Sequence, residues 1–226
     1  MTSDSSSPRT STPSKKKIAG YLLDIGAVKL SVNQPFTWAS GIKAPIYCDN
    51  RVIAAHVDIR NAILREYTES IYNHHYLADL NIIAGVATGG MTFGALIADR
   101  LSLPFIYVRP ERKEHGLRKQ VEGLYKAGDK VILIEDHIST GGSSWKAIEG
   151  LKNENLELIC LYSIMTYGFK IADDLFKSKG VVHESLCDLD AVIEVAKERK
   201  DITPAQADSI LRFRETVDRS HSLNGK

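Results

Sequence analysis

Apolar residues first recur at helical spacing. Ile18, Leu22 and Ile25 lie three and four apart and stop at Gly26, which predicts a short helix over 18–26. A second helical run over 57–76 carries Ile59, Ile63, Tyr67 and Ile71. Between them, Pro35, Gly41 and Pro45 punctuate an irregular segment over 35–53. The rhythm then changes. Residues 81–86 form a short apolar run, followed by Gly89-Gly90 and a helical stretch to about Leu101; residues 104–108 are the next strand. Residues 131–134 are continuously apolar, as in a parallel strand buried on both faces. They lead into Glu135-Asp136, a Ser/Thr/Gly loop, and a helix with Trp145, Ile148 and Leu151 inward; residues 156–165 are a further strand. Strands alternating with helices predict an α/β fold, an open and mostly parallel sheet flanked by helices. Ligands of such sheets sit beyond the carboxyl ends of the strands, here 86–90, 108–116 and 134–143.

Composition narrows the classes. The 226 residues suit one domain with small appendages, and 29 Lys+Arg against 28 Asp+Glu give a formal net charge of +1. That balance argues against a general nucleic-acid binder, and no run approaches the ~18 apolar residues of a membrane span, so neither partner is expected. Cys48, Cys160 and Cys187 lie far apart with no CxxC pair, so neither zinc nor a disulfide framework is indicated. A reducing, cytoplasmic setting fits. The first 14 residues are mostly Ser, Thr and Pro and cannot bury enough apolar area to order themselves. A disordered tail over 1–17 is expected, with an organelle transit peptide as the alternative reading of a Ser/Thr-rich run ending in Lys15-Lys16-Lys17. Excluding it removes four bases and one acid and leaves 25 against 27, a net −2.

The densest chemistry lies at 131–144, VILIEDHISTGGSS. Where the strand ends the backbone turns, so both carboxylates are expected to address one ligand. Ser139, Thr140, Gly141, Gly142 and Ser143 permit a tight loop whose N–H groups converge on a phosphate, aided by the start of the following helix. The acids would repel that phosphate. They suit sugar hydroxyls or a hydrated Mg²⁺ instead. A ribose 5-phosphate is therefore implied, against the plainer reading of a βα loop capped by its own Ser and Thr. Neither GxxxxGK[ST] nor GxGxxG is present.

This segment resembles the phosphoribosyl-pyrophosphate (PRPP) signature of type I phosphoribosyltransferases. The resemblance implies that Glu135 and Asp136 hold the ribose hydroxyls, and Mg²⁺ indirectly through water and PRPP, while the 139–143 loop holds the 5-phosphate. The signature identifies the cosubstrate and not the base, so a purine-base transferase, or a nonenzymatic nucleotide-binding regulator on the same fold, stands as the alternative. Two further segments are similar to orotate phosphoribosyltransferases in particular. Arg109-Pro-Glu-Arg-Lys113-Glu-His115-Gly116 looks like their mobile catalytic loop, and FTWASGIKAPIYCDNR over 36–51 like their base-recognition segment. In order and spacing the similarity covers about residues 18–220.

On that resemblance the enzyme transfers ribose 5-phosphate from PRPP to orotate in pyrimidine biosynthesis, giving orotidine 5′-monophosphate and pyrophosphate. Arg109, Lys113, His115 and Asp136 are its catalytic candidates. Arg109, Arg112, Lys113, Arg118 and Lys119 make the 109–119 loop cationic, which suits a lid over a leaving pyrophosphate. Its plainer reading is a solvated loop paired with Glu111 and Glu114. Thr88 and Gly89 occupy the family's pyrophosphate loop, where well-known members carry a lysine. Lys43, Tyr47, Arg51 and Ser139 are the orotate-binding candidates; Ala39 stands where many relatives have lysine, and Arg51 is the choice for the orotate carboxylate unless it merely pairs with Asp49. The loop of one subunit reaches the neighbour's site in the family, which implies a homodimer. The expected organisation is a hood segment over 18–55, a PRPP-binding core over 56–180 and a C-terminal helical segment over 181–226, one domain in all. Trp145 and Phe93 are expected in the core, His74-His75 on a helix surface, His137 in packing, and Cys48 and Cys160 as unreactive fillers.

Overall fold

The computed structural model describes residues 12–38, 41–74, 79–109, 111 and 119–224. In chain order the elements are α1 (Pro13–Asp24), β1 (Val28–Leu30), β2 (Phe36–Thr37), β3 (Lys43–Ala44), β4 (Ile46–Cys48), a 3-10 turn (Asn50–Ala55) and α2 (Val57–His74). There follow β5 (Ile82–Val86), α3 (Gly89–Leu101), β6 (Phe105–Val108), β7 (Val121–Glu122), β8 (Lys130–Ile138), α4 (Gly142–Asn153) and β9 (Glu157–Thr166). Last come α5 (Lys170–Ser178), β10 (His183–Asp188), α6 (Leu189–Glu198) and α7 (Pro204–Asn224).

Among the described residues the main sheet has six strands in the order β10-β9-β8-β5-β6-β7, parallel except for β7. Its middle strands are the apolar runs read from the sequence: all five residues of β5 are buried, as are Val131 to Ile134 in β8. One face packs Ile63, Leu64 and Tyr67 of α2 and Phe93 and Ile97 of α3 against Ile132 and Ile134, with α1, α6 and α7 joining that core. The other face packs Ala147, Ile148 and Leu151 of α4 and Ala172 and Phe176 of α5 against Val131 and Leu133. The chain leaves β5 for β6 on one side, then returns to lay down β8, β9 and β10 in succession on the other. The order therefore reverses between β5 and β8, and the gap beyond their carboxyl ends is the natural place for a ligand.

The segment expected to be irregular forms two small antiparallel pairs, β1 with β4 and β2 with β3. Two expectations about the ends need correction. Lys15, Lys16 and Lys17 belong to α1, not to a tail. Ile18, Ala19 and Leu22 bury one side of that helix. Lys15 pairs with Asp188 (2.6 Å), Lys16 with Glu194 (2.5 Å) and Lys17 with Glu66 (3.0 Å). The segment over 181–226 is not wholly helical either, because β10 is a strand of the main sheet. Phe93 is fully buried, whereas Trp145 is half-buried with the Lys152 and Lys179 ammonium groups 5.0 and 5.2 Å from its ring centroid. The expected surface position of His74-His75 lies outside the described side chains.

Candidate active site

At the reversal point lies a cavity of about 480 Å³. Its floor is Val86 to Gly89 at the end of β5, and Glu135, Asp136, His137, Ser139 and Ser143 around the end of β8. Its far wall is the N-terminal segment, through Trp38, Tyr47, Cys48, Asp49 and Arg51, with Tyr167 between. Trp38 is held by its indole N–H, which donates to Ile46 O (3.0 Å), and by rings on both sides: Tyr167 at 5.2 Å and Phe213 of α7, edge-on, at 5.8 Å.

The acid pair does not sit at a strand end. β8 runs on to Ile138, so successive side chains leave opposite faces of the sheet. Asp136 goes to the α3 face, where Gly89 makes room for it: a β-carbon there would lie 2.3 Å from Asp136 Cγ. Glu135 goes to the α4 face, where Ser144 Oγ–H donates to Oε2 at 3.1 Å and the Asp136 N–H to Oε1 at 3.2 Å. Glu135 still touches the cavity but is only 4% exposed.

Those positions split the two acidities. Burial first, then the neighbouring Asp136 charge, pushes the Glu135 carboxyl well above its ordinary 4.5. Burial also pushes Asp136 up, but His137, with Glu135 adding to it, overcomes this and holds the carboxyl below its ordinary value. His137 Nδ1 lies 3.2 Å from Asp136 Oδ2, an electrostatic contact rather than an aligned hydrogen bond, and the His137 backbone N–H donates to Oδ1 at 2.9 Å. The two carboxyls are thus pushed in opposite directions, Asp136 towards ionisation and Glu135 towards keeping its proton.

Two helices begin at this cavity, and neither uses a side-chain cap. α4 starts after Gly141, whose φ of +80° admits glycine readily, and α3 starts after Thr88. Their first N–H groups are thus left for a ligand, and the positive ends of both helices suit an anion. The Ala87–Thr88 peptide between β5 and α3 is cis. Ala87 and Thr88 also line an adjoining cavity of about 580 Å³ with Met91, Tyr107, Arg109 and Glu111.

This geometry agrees with the comparisons. The Phosphoribosyl transferase domain family matches residues 56–197. The orotate phosphoribosyltransferase of Porphyromonas gingivalis is 44% identical over 203 residues, which cover 90% of this chain and 96% of that one. The chain belongs to the orotate phosphoribosyltransferases. A solved member of that family, from Aeropyrum pernix, superposes with a TM-score of 0.69 at 33% identity over 78% of this chain and 96% of its own. The Leishmania donovani UMP synthase structure gives 0.75 at 26% identity; the match covers 89% of this chain and 42% of that longer one.

Set against this family's expected site, Tyr47, Arg51, Thr88, Gly89, Glu135, Asp136, Ser139 and Ser143 line the main cavity. Thr140, Gly141 and Gly142 form the turn into α4 without lining it. Arg109 lines the adjoining cavity, its Nε 3.5 Å from Glu122. β3 turns Ala44 inward and leaves Lys43 exposed, and Lys43 does not line the cavity. Arg51 makes the two-pronged pair with Asp49 (2.6 and 2.7 Å), and it lines the cavity as well. His137 packs edge-on against Tyr167, as expected, but also touches Asp136. Cys48, at the wall, is buried, and burial raises its thiol well above 9.0; burial raises Cys160 to about 12. Lys113 and His115, with Arg112, Arg118 and Ala39, lie outside the described residues. The sequence reading missed Trp38 and Tyr167 as wall residues and Asn50 beneath them; the aromatic content of 36–47 was the available signal for the first.

Proposed function

We propose that this protein transfers the 5-phosphoribosyl group of PRPP to N1 of orotate, releasing pyrophosphate and forming orotidine 5′-monophosphate on the way to UMP. The observation that carries this reading is the Asp136 carboxylate sharing one cavity with the uncapped start of α4. A ribose 5-phosphate needs those two groups at its two ends. Ser139, Thr140, Ser143 and the first N–H groups of α4 take the 5-phosphate. Asp136 accepts from the ribose hydroxyls, and Glu135 braces α4 through Ser144. Pyrophosphate lies at the start of α3, between Thr88, Gly89 and Arg109. The flat base fits the wall of Trp38, Tyr47 and Tyr167, with Arg51 for its carboxylate.

The one thiol at the cavity, Cys48, is held protonated by burial, so no covalent intermediate is assigned to it. Catalysis is then positioning and charge stabilisation as the C1–O bond breaks ahead of attack by N1. Lys113 and His115 act on the leaving group. Among the described residues no group of three or more His, Cys, Asp or Glu gathers to hold a metal. Asp136 alone suits Mg²⁺, which binds largely through water and phosphate oxygens. When bound, Mg²⁺ neutralises charge on the pyrophosphate. The enzyme works as a homodimer with shared sites in the cytoplasm; no helix among the described residues is long and apolar enough to cross a membrane.

The test is incubation with Mg²⁺-PRPP and a panel of bases, following orotate absorbance and pyrophosphate release. Turnover with orotate alone supports the reading; turnover with a purine base, or with none, overturns it. Lys113→Ala is expected to lose most turnover, and full turnover with unchanged PRPP affinity would remove Lys113 from the mechanism.

A further inference from the structure

Asn50 is fully buried and does not line the cavity, yet it lies between the cavity's two halves. Its side-chain N–H donates to the backbone carbonyl of Asp136 at 2.7 Å. Its Oδ1 accepts from the Cys48 thiol at 3.4 Å. Both ends of a buried amide are thus engaged, as burial requires. The partners belong to opposite sides of the site. Cys48 ends β4, in the wall that carries Tyr47, Asp49 and Arg51, while Asp136 belongs to β8, in the floor.

We infer that Asn50 is a positioning residue that fixes the spacing between the base wall and the ribose carboxylate. This rests on the orotate transfer proposed above. In that reaction the base nitrogen and the ribose carbon belong to separate substrates, one held by the wall and the other by the floor. Their approach is only as well defined as the gap between the two halves. The bond from Asn50 is anchored on the backbone of the residue whose side chain holds the ribose, so the wall is measured from the group that matters. Asp49 and Arg51, its chain neighbours, are paired with each other and both face the cavity, so they move with Asn50. A side chain acting in this way leaves each substrate's own contacts intact and changes only their relation. A misplacement of about 1 Å is enough to cost on the order of 100-fold in rate.

The test uses Asn50→Leu, which keeps the bulk and loses both hydrogen bonds, and Asn50→Asp, which keeps the shape but sets a carboxylate against the Asp136 carbonyl. Wild type, both variants and Cys48→Ala are assayed side by side with orotate and Mg²⁺-PRPP, with folding followed by thermal melting. The expected result is a fall in kcat of about 100-fold for the folded Asn50 variants. KM for each substrate, and PRPP affinity measured without orotate, should stay within about threefold. Cys48→Ala should fall between them and wild type. A folded Asn50 variant with near-normal kcat overturns the inference. So does a rise in KM with kcat unchanged, which would make Asn50 a binding element, or failure of both variants to fold, which would make it structural. An inactive wild type would instead refute the transfer itself, so the two failures are distinguishable.

Discussion

The carboxylate of Asp136 fills the space a β-carbon would take at Gly89, whereas at the next residue, Gly90, the same space holds the carbonyl oxygen of Ile134, 2.1 Å from where that carbon would be. These two crowded glycines give opposite outcomes. In Gly89→Ala the obstacle is the end of a side chain, which swings aside; the protein should stay folded with turnover down roughly 100-fold. In Gly90→Ala the obstacle is backbone of the central strand, and stability should fall first. Thermal melting beside initial rates separates the two, and a Gly89→Ala enzyme of normal activity would deny Asp136 its role.

Glu135 should weaken the fold at neutral pH. Its carboxyl binds a proton more tightly folded than unfolded, so stability falls as pH rises above the ordinary 4.5 towards the raised folded value. Glu135→Gln mimics the protonated form and keeps an oxygen for Ser144. The variant should gain stability over wild type as pH rises, with no gain below about pH 4, and should retain activity within about tenfold. Urea unfolding at several pH values checks the first point. A constant stability difference across pH would show that the two states share one acidity.

Burial raises the Asp136 carboxyl, and His137 is the chief contact that brings it below its ordinary value. His137→Leu removes the contact that offsets burial, so the Asp136 carboxyl should rise. The acid limb of kcat/KM for PRPP should then move to higher pH, because the carboxylate form is lost sooner as pH falls. An unmoved limb would assign that ionisation to another group.

Arg51 and Lys43 offer a paired comparison. Arg51 lines the cavity and its side chain is 66% exposed beside Asp49, so losing the pair should leave the melting temperature nearly unchanged. Arg51→Ala should raise KM for orotate about tenfold or more, since a charge-assisted contact to its carboxylate is lost. Lys43→Ala should leave KM unchanged. Equal effects from the two variants would point to a general electrostatic pull on the substrate.

The central sheet was legible because β5 and β8 are buried on both faces and their sequences are unbroken apolar runs. β10 was not: at the sheet edge its sequence is HESLCD and only Cys187 is fully buried, so no period survives. Lys15 to Lys17 were misread for a different reason. Their partners Asp188, Glu194 and Glu66 lie far along the chain, and a lysine run carries no sign of such pairs. The site was legible as a motif, since STGGS opens α4 as expected. The opposite directions of Glu135 and Asp136 were hidden because the apolar run stops at Ile134 while the strand continues to Ile138. The wall was hidden because Tyr167 and Phe213 reach Trp38 from the far half of the chain.

The pairing of β6 with β7 brings two distant points of the chain together. Val108 faces Val121, and the Arg109 N–H donates to Gln120 O at 3.0 Å, so the chain leaves the sheet and rejoins it at a single point. Closing a detour of twice the length between fixed ends costs only about 0.6 kcal/mol more. The scaffold that orients Asp136 is therefore closed whatever the length of the stretch between those ends, so an insertion there should leave the melting temperature nearly unchanged even where it costs activity.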